Sequence, residues 1–215
     1  MSPRIPLALA AALLALTACE PVSVPPSSDS GPTGSTSKPS SAKDASAQLS
    51  KLTVAKAGSM AGYKREEFPH WRDTGSNCDV RDSVLKRDGK NVKFSGCNVV
   101  AGTWTSFYDG QVLNSPTKVD IDHMVPLANA WRSGASKWTT AKRGDFANDL
   151  DDPQLIAVSA SSNRSKGDQD PSTWKPSQTS SWCEYAKDWI AVKSKWKLTV
   201  TDKEKSALDD MLRKC

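Results

Sequence analysis

Apolar and polar positions change their period several times along the chain. The first feature is an unbroken run of small apolar residues, Leu7 to Leu16, with Arg4 ahead of it. Such a run is too short to span a bilayer comfortably and has the layout of an export signal that is cut away. From Glu20 to about Ser46 large apolar residues nearly vanish and Pro, Ser, Thr and Gly take over. That stretch has too little apolar surface to bury and is expected to be a disordered tether. Apolar residues return at Leu49 and Leu52, which with Val54 to Ala57 read as a helix leading into a folded unit. Val80, Val84 and Leu85 then recur at helical spacing ahead of an Asp88-Gly89 turn.

Past that turn the period shortens to two. Val92-Lys93-Phe94, Val99-Val100 and Thr103-Trp104-Thr105 alternate as strands do, and Lys118 to His123 alternates as well. Leu127 to Trp131 reads as a helix closed by Ser133-Gly134, and Gln154 to Val158 as a strand. Ser159 to Gly167 has a serine cap and a glycine stop around a short helix. Two longer helices are expected, Trp182 to Lys195 and Asp202 to Arg213, the second capped by Thr201 or Asp202. The predicted class is α+β, with one strand-strand-helix core embedded in additional helices and short antiparallel strands.

Cysteine usage adds the compartment. The apolar run ends in Leu16-Thr17-Ala18-Cys19, which resembles the lipobox of bacterial lipoproteins and implies cleavage before Cys19 and a lipid on it. The alternative is an ordinary secretory signal cut near Ala18; both readings export the protein, as a cell-surface lipoprotein or in secreted form. The expected organisation is a signal over 1–18, a tether over 19–47 and one domain, a monomer, over 48–215. Four cysteines remain, an even number suited to disulfides in an oxidising compartment. Of three possible pairings, Cys78 with Cys97 and Cys183 with Cys215 close local loops and anchor the last residue, each contributing roughly 3 kcal/mol. The formal charge of +5 falls to +4 once Arg4 leaves with the signal, compatible with a polyanionic partner without requiring one.

Candidate chemistry starts from scarcity. With only His70 and His123, three-histidine zinc sites and His-Glu-x-x-His motifs are excluded, and no Gly-x-Ser-x-Gly elbow is present. His70 reads as structural, and most of the eight tryptophans as core. His123 follows Asp120 and Asp122, which share one strand face; strict alternation sends His123 to the other, so the strand must end or bulge there for both to address one substrate. On the helix after the next strand, Asn163 and Lys166 are three apart and share a face. An oxygen ligand, a neutral imidazole and a second oxygen ligand are what metal-assisted phosphodiester hydrolysis needs.

In these residues the sequence resembles the HNH nuclease family, in particular its secreted bacterial branch with an Asp-His-x-x-Pro motif (DUF1524), related to the C-terminal region of GmrSD-type restriction enzymes. The likeness runs through Cys78-Asp79-Val80-Arg81, Asp120 to Leu127, Ala130 to Ala135, Phe146 to Asp149 and Asn163 to Asp168. It implies a ββα-metal core with His123 as general base and Asp122 and Asn163 on one divalent cation, Mg²⁺ with Mn²⁺ as the alternative. Lys166 joins the catalytic set, and Arg81, Arg143 and Arg164 are assigned to substrate phosphates. The middle Asn of the family name is matched by Gln154, with Asn148 as the other candidate. The implied partners are nucleic acid, DNA favoured over RNA, and the membrane through the lipid on Cys19. The rival reading is a noncatalytic surface lipoprotein that binds nucleic acid or cell wall.

Overall fold

The first ordered element is a helix that begins earlier than the hydrophobic pattern suggests. In the computed structural model, which describes Lys38 and residues 41–215, α1 spans Ala42–Lys51 and is capped by the Ser41 side chain. Ala45 and Leu49 lie one turn apart and are both buried. Residues 42–47, expected to belong to the tether, are therefore part of this helix, and Val54 forms an isolated parallel bridge to Val200 instead of continuing it. The signal over 1–18, Cys19 and the remainder of the tether lie outside the described residues. Those described all fall within one unit, Ser35–Cys215.

The described residues hold seven α-helices, α1 included, and seven short strands in mixed order, the expected α+β class. β1 (Asp73–Gly75) and β2 (Cys78–Asp79) pair into a small ribbon that leads into α2, Val80–Asp88. β3 (Lys90–Ser95), β4 (Asn98–Thr105) and β5 (Val112–Leu113) form an antiparallel sheet. β6, Val119–His123, is followed by α3 (Leu127–Arg132) and α4 (Thr140–Ala147), and then pairs with β7, Leu155–Ser159. Short α5, Ala160–Lys166, comes directly off β7, with the Ser159 side chain accepting from the Ser162 N–H and Gly167 stopping it at φ 54°. α6, Trp182–Lys195, and α7, Asp202–Leu212, complete the chain; Thr201 and Glu204 form a capping box on the latter.

The β6–β7 pair separates two cores. Opposite residues of an antiparallel pair share a face, so Val119, Ile121, Leu155 and Ala157 lie together and pack with Val80, Val84, Leu85 and Trp104. The second, larger cluster is helical, bringing Leu49, Met124, Val125, Val158, Trp189 and Leu208 together. Side chains cover both edges of the pair. Arg81 donates to the carbonyls of Pro116 and Val119 at 2.9 Å each, and the Asp88 carboxylate accepts from the Ala157 N–H at 3.0 Å. These contacts use the backbone groups that an open edge leaves unpaired. Both expected disulfides are present: Cys78 to Cys97 and Cys183 to Cys215.

Candidate active site

Pairing runs without a shift from Val119 opposite Ser159 to His123 opposite Leu155. The strand ends at His123, so no bulge is needed. At that end a cleft of about 510 Å³ opens, lined by Asp122, His123 and Asn163. The polar face of β6 carries Asp120 and Asp122, and α5 lies across it. Asn163 Nδ2 donates to Asp120 at 3.0 Å, and Lys166 Nζ donates to Asp122 at 2.7 Å. Two residues on the strand are thus matched by two residues one helical turn apart.

Asp122 is buried and held on one side only. Its Oδ2 accepts from Tyr108 Oη at 2.6 Å as well as from Lys166, while its Oδ1 has no hydrogen-bond partner among the described residues. The Asn163 amide is fixed through its nitrogen, which leaves its oxygen unbonded. Two free oxygens on one cleft wall suit a hard cation. Among the described residues no group of three or more His, Cys, Asp or Glu side chains gathers around a common point. Such a cation would therefore take its other ligands from water and substrate, which is how Mg²⁺ binds phosphates. Asp122 and Asn163 fit that role.

His123 is also buried. Its Nε2 lies 3.0 Å from the carbonyl oxygen of Ala147, the last residue of α4. A carbonyl only accepts, so Nε2 carries the proton and Nδ1 keeps the lone pair. Burial pushes the His123 pKa down to about 3, against the raising effect of the Ala147 bond, and the Arg65, His70 and Lys166 charges push the same way as burial. The ring is a neutral base throughout the physiological range.

That shift has a consequence for stability. Above pH 6.5 neither folded nor unfolded His123 is protonated; below it the unfolded chain takes a proton that the folded chain refuses. Stability from this group is full above pH 6.5 and lost as pH falls toward 3, by about 2 kcal/mol at pH 5. Urea unfolding of wild type and His123→Gln at pH 8 and pH 5 isolates it, because other groups cancel in the difference. The wild type should lose about 2 kcal/mol more than the variant; equal losses would show that the ring protonates as readily folded as unfolded.

The other assigned residues divide by what they touch. Gln154 is wholly buried, accepts from the Val125 N–H at 3.1 Å and donates to the Val125 carbonyl at 3.0 Å. It pins the backbone immediately after His123 and does not line the cleft, so it positions the base without meeting substrate. Asn148 holds a different segment, accepting from the Arg72 N–H and donating to the Pro69 carbonyl. Lys166, expected in the catalytic set, is 0% exposed and engaged by Asp122 and the His123 carbonyl; it has no path to a phosphate. Arg143, assigned to substrate, is 6% exposed and donates to the Glu67 carbonyl, the Glu67 carboxylate, the Trp138 carbonyl and Thr140 Oγ1. Arg143 is a brace because its donors are occupied inside the fold, and Arg81 braces the β6 strand edge through Nη2. Arg164 lines the cleft and is exposed, where a phosphate can reach it.

Tyr108, Ala147, Arg65 and Trp71 lie beside the site without a mark in the sequence pattern. Tyr108 anchors Asp122, Ala147 sets the imidazole tautomer through its backbone, and Arg65 lines the cleft. Trp71, held at φ 58°, lies with its ring 5.9 Å from that of His123, and His70 stands 6.4 Å away edge-on. A carbonyl contact and a loop folding back across some fifty residues leave no periodic mark to read.

A protein of Arthroderma benhamiae, described as an uncharacterized secreted protein, is 47% identical over 210 residues, covering 97% of this chain and 98% of its own length. No solved structure matches the chain. The family described as GmrSD restriction endonucleases, C-terminal domain, matches residues 77–211, which include β6, β7 and α5 and hence Asp122, His123 and Asn163. The chain belongs to this nuclease-type family of GmrSD C-terminal domains.

Proposed function

We propose that the protein is an exported, metal-dependent HNH-type endonuclease that hydrolyses phosphodiester bonds of nucleic acid, DNA in preference, with little sequence specificity. The observation that carries the reading is a neutral His123 with Nδ1 unprotonated, in one cleft with the free oxygens of Asp122 and Asn163. His123 Nδ1 takes a proton from water as that water attacks phosphorus, and the P–O3′ bond breaks, the leaving 3′ oxygen taking a proton from solvent, to give 5′-phosphate and 3′-hydroxyl ends. A divalent cation on Asp122 and Asn163, Mg²⁺ or Mn²⁺, would supply charge stabilisation at the phosphate and the leaving oxygen. Ala147 and Gln154 keep the base oriented, and Arg164 holds the phosphate backbone. The two disulfides and the secreted relative support export, with lipid on Cys19 as the proposed attachment.

Incubating the full chain with plasmid DNA or RNA, in Mg²⁺, Mn²⁺ or EDTA, tests the reading. Nicking and linearisation with either metal and none in EDTA is the expected result. Binding without metal-dependent cutting would instead make the protein a noncatalytic surface binder.

A further inference from the structure

The cleft lining continues through Met60, Tyr63 and Arg65, and the segment that follows them to Arg72 is held with more care than a surface loop needs. Arg65 to Glu67 form one turn of 3-10 helix. Glu67 is gripped at both its carbonyl and its carboxylate by Arg143, at 2.7 Å each. The Pro69 carbonyl and the Arg72 N–H are gripped by the Asn148 amide, at 2.7 and 2.8 Å. Arg143 and Asn148 belong to α4 and its C-cap, the same helix end whose Ala147 carbonyl orients His123. One element therefore fixes the base and this segment together.

The lining presents a free cation. Arg65 is exposed, lines the cleft with Asp122, His123 and Asn163, and its guanidinium pairs with no carboxylate or carbonyl among the described residues. Its neighbours differ: Arg143 is occupied by Glu67, Arg132 by Asp168, and Arg72 by Asp145. An unpaired guanidinium facing a base and two oxygen ligands is suited to the non-bridging oxygens of a phosphodiester.

We propose that Arg65 binds the phosphate of the substrate strand from this part of the lining, so that nucleic acid is clamped between it and Asn163 and Arg164 of α5. The inference rests on the nuclease reading and assigns Arg65 a role that Arg143 serves only indirectly, by holding Glu67.

The test uses the full chain with fluorescent duplex DNA and duplex RNA in EDTA at several salt concentrations, followed by turnover of plasmid in Mg²⁺. Arg65→Ala should weaken binding about 10- to 100-fold, the worth of one charge-assisted hydrogen-bond pair. It should also reduce the slope of log affinity against log salt by about one, and leave the melting temperature unchanged. Arg65→Lys should recover part of the affinity, and Lys93→Ala, an exposed lysine of β3 away from the cleft, should leave binding and turnover near wild type. Arg65→Ala with wild-type affinity, salt slope and turnover would overturn the proposal and leave the nuclease reading standing. A wild type that neither binds nor cuts would remove both, since Arg65 would have no phosphate to hold.

Discussion

His123→Ala should retain the fold and the affinity for nucleic acid while losing roughly 10² to 10⁴ in cleavage rate, the range that a positioned general base supplies. The expectation follows from how the ring is held. Its single hydrogen bond goes to the Ala147 carbonyl, and its neighbours Trp71 and His70 touch it edge-on or tilted, so no packed network collapses when it is removed. Leaving the Ala147 carbonyl without a donor costs only about 1 to 3 kcal/mol. Single-turnover cleavage compared with thermal melting separates the two effects. A variant that cuts near the wild-type rate would take His123 out of the mechanism, and a variant that cannot fold would assign it a structural role instead. His123→Gln offers a control, because its amide can still donate to Ala147 without serving as a base.

Much of the frame around that histidine is visible in the order of side chains, for local reasons. α5 is announced by Ser159 and Gly167, which act on their own helix and need no partner elsewhere. α7 shows its start through Thr201 and Glu204 in the same way. α1 begins earlier than expected because Ala45 is its only buried residue before Leu49, and one alanine does not draw a stripe. α4 has no clear pattern either: Gly144 interrupts it, where a Cβ would sit 3.0 Å from Arg72, and its value lies in the Ala147 carbonyl. Charge is the property that sequence localises least. Arg65, Arg143 and Arg164 look alike along the chain, and only the partners of Arg143, Glu67 five residues before Arg72 and Trp138 five before itself, remove it from the surface. The sequence sets Lys166 beside Asn163 on one helical face, yet which way that face turns depends on β6 packing beneath it.

The direction of that face sets the second large expectation. Lys166→Met should destabilise the protein by about 3 to 5 kcal/mol, the usual effect of leaving one member of a buried ion pair without the other. Burial lowers the Lys166 pKa and the Asp122 charge raises it, which is the signature of an ammonium kept in the interior by one carboxylate. Its ammonium donates to Asp122 Oδ2 and to the His123 carbonyl and lies 5.9 Å from the ring centroids of Tyr108 and Trp189. Methionine fills the volume of the stem but leaves Asp122 with Tyr108 alone. Since domains of this kind are stable by only about 5 to 15 kcal/mol, the loss should be plain in urea unfolding. The double variant Lys166→Met, Asp122→Asn removes both charges, and it should regain about 1 to 3 kcal/mol relative to the sum of the single changes. Strict additivity would mean that the two groups do not depend on each other. Recovery of stability without recovery of cleavage would separate the two duties of Asp122: Oδ2 holds the helix to the strand, and Oδ1 is left for the chemistry.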